Sequence, residues 1–165
     1  MLKITKPLFV SFHFFAPFVS RTIDNIEEHN MAALQHPADR RYAKTHEWVR
    51  VEGDQATIGI SDYAQNELGD VVSLELPWED EGRRDVEAAR HFGDIDSVKS
   101  TSELFAPISG HLIKVHQELR DTPELINSDP YGAGWMLVVQ LTNPAEIDQL
   151  MTAAQYEAFV QAGGH

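Results

Sequence analysis

Between Glu47 and Leu141 the apolar residues come in short runs, and glycine, proline or aspartate interrupts each run before a helical period can establish itself. Such a chain builds its core from many short strands. From Glu47 to Val51 polar and apolar residues roughly alternate, Gly53-Asp54 supplies a turn, and Ala56 to Ile60 continues with β-branched residues, which predicts a hairpin. Ser61 then caps a short helix running to about Leu68, with Gly69 placed to end it. Further strands are expected at Val71 to Leu76, Gly93 to Val98, Glu103 to Phe105, Leu112 to Val115 and Trp135 to Leu141, with turns at Pro107 to Gly110 and Asp129 to Gly132. The stretch from Trp78 to Glu87 is too charged for a core and reads as an exposed loop. Near the C-terminus the chemistry turns helical. Asn143-Pro144-Ala-Glu146 and Thr152-Ala-Ala-Gln155 both resemble capping boxes, and Tyr156, Phe159 and Val160 share a face, predicting a helix packed on a small barrel or sandwich.

The chain has 165 residues, enough for one domain with an appendage. It has no cysteine, which excludes disulfides, thiolate metal sites and a cysteine nucleophile. A formal net charge of −13 argues against nucleic acid and anionic membranes as partners, because both are bound through Lys and Arg. It favours basic protein surfaces, met by steering that weakens with salt. Residues 1–30 carry none of that net charge: Lys3, Lys6 and Arg21 balance Asp24, Glu27 and Glu28. The apolar run from Leu8 to Val19 falls short of the ~20 residues that span a bilayer. Residues 1–35 therefore read as an upstream-start extension or a weak, disordered targeting segment, and residues 36–165 as the folded domain.

A faint internal echo links Gly69-Asp-Val-Val-Ser-Leu74 with Gly110-His-Leu-Ile-Lys-Val115. Between the two lies Val98-Lys99-Ser100, where one strand turns into the next, so Lys99 is expected to project from a hairpin tip into water. Taken alone, Lys99 is either a solvated surface lysine or an amine offered to a modifying enzyme.

The series Thr45-His-Glu-Trp-Val49, Gly59-Ile-Ser-Asp62, Leu68-Gly-Asp-Val-Val72, Glu75-Leu-Pro77, Phe92-Gly93, Ser97-Val-Lys99, Ala106-Pro107, Ser109-Gly110, Asn127, Asp129-Pro-Tyr-Gly132 and Gly134-Trp135 runs in order along the chain. In this series the sequence resembles the H-protein family of the glycine cleavage system. The resemblance implies a mainly β fold with peripheral helices, a barrel-sandwich hybrid of two packed β-sheets plus a C-terminal helix. It implies lipoate in amide linkage on Lys99 and a cleft for the loaded arm formed by Thr45, Glu47 and Glu103. The implied partners are a decarboxylating glycine dehydrogenase, a folate-dependent aminomethyltransferase, dihydrolipoyl dehydrogenase and a lipoylating enzyme. The implied role is non-catalytic, in a monomer of the bacterial cytoplasm or, alternatively, the mitochondrial matrix. The family usually shows Glu-Ser-Val-Lys-Ala; here the acid is Asp96 and the small residue is Ser100. The region from Trp78 to His91 is also longer and more charged than usual.

Other residues take plainer roles. His46 is expected to pack or hydrogen-bond locally, since no nucleophile pairs with it, and His111 and His116 lack the spacing of zinc ligands. Trp48, Trp135 and Leu137 read as core, and Asp94, Asp96 and Glu103 as an acidic rim that is either a docking surface or simply solvated. Four alternatives remain: a relay that hands lipoate to 2-oxoacid dehydrogenase subunits, a biotin carrier disfavoured by Val98 and Ser100, a hydrolase using paired carboxylates, and an interaction module in which Lys99 stays a free amine.

Overall fold

The computed structural model describes residues 34–164, so the expectation for residues 1–35 lies, save for its last two positions, outside the described residues. The alternating hairpin forms as expected: β2 (Glu47–Glu52) pairs antiparallel with β3 (Gln55–Ile60) through a two-residue turn. Strand β1 (Arg41–Tyr42) adds to one side of β2. Strand β9 (Leu137–Leu141) adds to β3, and β8 (Gly110–Val115) and β5 (Asp85–Val86) follow, giving the six-stranded order β1-β2-β3-β9-β8-β5. A three-stranded sheet holds β4 (Val71–Glu75), β6 (His91–Ser97) and β7 (Thr101–Phe105) in the order β4-β6-β7. The two sheets enclose one core in which Val49, Ile58 and Val139 meet Leu74, Ile95 and Leu104. Two short helices, α1 (Asp62–Leu68) and α2 (Leu125–Ser128), lie outside the strands, as does the C-terminal α3 (Ala153–Gln161).

The first half of strand β2, Glu47 to Val49, is buried on both faces. Val49 joins the main core, while Trp48 faces a second cluster with Tyr42, Tyr156 and Val160, so α3 covers the outer face of the large sheet. Trp48 lies directly opposite Gly59, and its indole fills the space a side chain there would need: a Cβ at position 59 would stand 2.6 Å from the ring. The indole N–H donates to the Pro130 carbonyl at 3.1 Å. Helix α3 has both bonds of the Thr152–Gln155 capping box, worth about 1 kcal/mol. Its buried Tyr156 and Val160 each contribute about 2 kcal/mol, so packing rather than the cap holds it.

The echo between the two glycine-led segments has structural content. Strands β4 and β8 each carry a bulge, at Val72 and Ile113, and each bulged residue stands three positions after its glycine with its side chain exposed. The extra residue in each strand turns an apolar side chain out of the core.

Three expectations are corrected. The charged stretch is not wholly exposed: Trp78 and Val86 are both buried. The Arg120 guanidinium stacks 4.5 Å above the Trp78 ring and pairs with Asp80 at 2.7 Å, so the charges lie over an aromatic anchor instead of replacing it. Trp135 is only half-buried, with its ring stacked 4.2 Å from that of His116. Asn143 caps nothing; Pro144–Gln149 form a 3₁₀ helix in which Glu146 turns instead to the Ser109 N–H and hydroxyl at 2.6 and 2.9 Å.

Candidate functional site

The turn joining β6 to β7 is organised by a serine. Ser97 Oγ accepts the N–H groups of Lys99 and Ser100, each at 3.2 Å, while its backbone N–H donates to the Ser100 carbonyl at 2.8 Å. The Asp96 carboxylate accepts the hydroxyls of Thr101 and Ser73, tying the hairpin across all three strands and holding its own pKa below the usual range. Lys99 therefore sits, exposed, at the tip of a well-braced hairpin. Its side chain does not simply reach into water. The methylenes cross the end of α1 at Gly69, where a Cβ would meet Lys99 Cε at 3.4 Å and Nζ at 3.8 Å. Gly69 adopts φ 74°, ψ −157°, a conformation open essentially to glycine alone.

Beyond Gly69 lies a cavity of about 220 Å³. One wall is the face of α1 carrying Tyr63, Ala64, Glu67 and Leu68; the other is Ser102, Glu103 and Leu104 of β7, with Ile60 and Ile95 also lining it. Thr45, His46 and Glu47 complete the lining, so Thr45, Glu47 and Glu103, far apart in sequence, share one hollow. Lys99 is not itself a wall residue, but Leu68, next to Gly69, is.

The two glutamates differ. Glu103 is exposed, opposite Asp94 across the ladder. Glu47 is 1% exposed; its carboxylate accepts the Thr45 hydroxyl and, at 3.0 Å, the Phe105 N–H. The donor explains the placement. Phe105 lies on β7, the outer strand of the small sheet, and Glu47 satisfies an N–H that no neighbouring strand takes. Burial dominates its titration and pushes its pKa up to about 7, against the opposing pull of these two donors. His46 behaves as a local packing residue: with φ 77°, its Nδ1 lies 2.7 Å from the Tyr156 hydroxyl, which also bonds Ser61 Oγ at 2.7 Å.

Of the acidic rim, Asp96 is engaged as described and Asp94 pairs with His91 at 3.0 Å. His111 bonds Asp85, and His116 bonds the Trp135 carbonyl. Among the described residues no group of His, Asp or Glu is placed to hold a metal ion. Tyr63, Glu67, Leu68 and Ser102 escaped the sequence reading. The spacing 63, 64, 67, 68 on one helical face is the signal that points to the first three once α1 is known.

A family model described as "Glycine cleavage H-protein" matches residues 40–163, which spans both sheets, the cavity and the lysine hairpin. The chain belongs to the glycine cleavage H-protein family. It is 51% identical over 130 residues to the glycine cleavage system H protein of Geobacillus sp. strain WCH70, covering 79% of this chain and all of that one. With the protein of the same name from Geobacillus kaustophilus the identity is 52% over 130 residues, again 79% of this chain and 100% of the relative. A crystal structure of a glycine cleavage system H protein from Mycobacterium marinum superposes with a TM-score of 0.66 at 37% identity, covering 77% of this chain and 98% of the other. The architecture of two antiparallel sheets with few helices is that family's barrel-sandwich fold. Among the described residues no helix is long and apolar enough to cross a membrane.

Proposed function

We propose that the chain is the lipoyl carrier of glycine cleavage, with lipoate in amide linkage to Lys99. The observation that supports this most is the course of one side chain: an exposed lysine on a braced tip lies across a side-chain-free glycine whose neighbour Leu68 lines a cavity with a buried carboxylate in its wall. These residues fit such an arm. Gly69 leaves room for its methylenes, while Leu68, Ile60, Ile95 and Leu104 offer an apolar lining to its end.

When attached, lipoate supplies a dithiolane whose sulfurs receive and release an aminomethyl group. Everything else falls to the chain. The hairpin presents the lysine to the lipoylating enzyme, and the cavity excludes water from the cargo. Glu47, held by Thr45 and Phe105, and Glu103 at the rim offer carboxylates to a protonated amine. The proposed partners are a decarboxylating glycine dehydrogenase that loads the arm, a tetrahydrofolate-dependent aminomethyltransferase that unloads it, and dihydrolipoyl dehydrogenase that reoxidises it. The chain itself performs no bond chemistry in this scheme. The relatives named above are bacterial, which supports a bacterial cytoplasmic setting.

The test is the hydrolysis rate of the aminomethyl-loaded carrier in Glu47→Gln and Glu103→Gln variants. Faster loss of cargo is expected in both, and unchanged rates would remove these carboxylates from the scheme.

A further inference from the structure

Asn127, a residue of the matched motifs, has no role in the scheme so far, and Gly69 has only that of leaving room. Asn127, on α2, reaches across to the segment after α1, which it holds at two points, and to α1 itself at a third. Its Nδ2 donates to the Gly69 carbonyl at 2.8 Å and to Gln65 Oε1 at 3.1 Å, while its Oδ1 accepts the Val71 N–H at 2.9 Å. The same loop is held from α1 by the Gly69 N–H, which donates to the Gln65 carbonyl at 3.1 Å. On its other side the loop meets the lysine hairpin: the Asp70 carbonyl accepts the Val98 N–H at 3.0 Å, and the Lys99 methylenes cross Gly69.

One short segment is thus fixed by α2 on one side and supports the modified residue on the other. All three of the nearest atoms that a Cβ at Gly69 would meet belong to the Lys99 side chain. Lying down over Gly69 keeps that side chain beside the residue that follows Leu68, a wall residue of the cavity; standing away from it leaves the arm in water.

We propose that Gly69, clamped by Asn127, is a positioning site that sets the direction in which the arm leaves Lys99, favouring the sheltered cavity over solvent. The proposal deepens the carrier reading and rests on it. The clamp raises the ratio of sheltered to free arm, because a loop left loose at its carbonyl no longer keeps the track beneath Lys99 in one place. Losing one net hydrogen bond of the clamp changes that ratio by about fivefold. Gly69 meets the Lys99 methylenes at the root of the arm and Asn127 meets only Gln65, Gly69 and Val71, so the effect expected of both is on protection.

The experiment uses the full chain, lipoylated and then loaded with the aminomethyl group, with Asn127→Ala and Gly69→Ala beside the wild type. Intact mass first establishes that lipoate is attached. Loss of cargo to water is then followed, together with the urea midpoint of each variant. In parallel, the amide NMR signals of Gly69 and Leu68 in the wild type are compared before and after loading, a reading that stands even where a variant fails to fold. The expected result is hydrolysis about fivefold faster in Asn127→Ala at unchanged lipoylation, with the wild-type Gly69 and Leu68 signals shifting on loading. Folded, fully lipoylated variants that keep the wild-type hydrolysis rate, or wild-type signals that stay in place on loading, overturn the positioning role alone. A wild-type chain that remains unmodified at Lys99 overturns the carrier reading and this proposal with it.

Discussion

Replacing Glu47 by glutamine is expected to stabilise the unloaded protein above neutrality while leaving it no more stable in mild acid. The side chain is 1% exposed and burial raises its pKa from the ordinary 4.5 to about 7. A raised carboxyl pKa means the folded state holds a proton that the unfolded chain has released. Stability therefore falls as pH climbs from about 4.5 to about 7, where the fold binds the proton and the unfolded chain does not, and levels off above. At roughly 1.4 kcal/mol per pH unit, the cost reaches about 3 kcal/mol at pH 8. Glutamine fills the same space, keeps an oxygen for the Phe105 N–H and carries no charge, so it escapes this cost. Urea unfolding of wild type and Glu47→Gln at pH 5, 6, 7 and 8, followed by tryptophan fluorescence, reads the difference. The variant's relative stability should rise across that range by about 2 to 3 kcal/mol. A difference constant with pH would refute the reasoning, since Glu47 would then titrate like an exposed acid.

Two further substitutions probe the frame behind the cavity. Gly59→Ala places a Cβ 2.6 Å from the Trp48 ring, which is packed beneath α3 and cannot retreat; a loss of about 2 kcal/mol or more is expected in thermal unfolding, with quenched or shifted Trp48 fluorescence. Ser61→Ala removes both the cap to the Ala64 N–H and one of the two partners of the buried Tyr156 hydroxyl, leaving it His46, and should cost about 1 to 2 kcal/mol in urea unfolding, with faster amide exchange in the first turn of α1.

Local chemistry explains how much of this was legible in the sequence. The β2–β3 hairpin, the Ser61 cap, the Thr152 capping box and the tip at Lys99 depend on neighbours a few residues away, and each formed where its residues indicate. The three corrected segments depend on distant partners. Trp78 is buried because Arg120 covers it, Glu146 is diverted from its expected cap by Ser109, and Trp135 finds His116 from another segment. The site divides in the same way. Thr45, Glu47 and Glu103, and lipoate on Lys99, entered through a resemblance, and no spacing in the chain brings residues 45 and 103 together. The burial of Glu47 was hidden as well, because it arises from an unpaired N–H on β7, a strand that follows more than fifty residues later. A charged residue in an alternating strand reads as solvent-facing until the sheet opposite is known.

The most direct test is the intact mass, followed by peptide mapping, of the full chain made in cells able to attach lipoate, beside a Lys99→Arg control. The carrier role requires a gain of one lipoyl group confined to Lys99 and absent from the control. A well-folded wild-type chain that leaves competent cells with Lys99 as a free amine would contradict it.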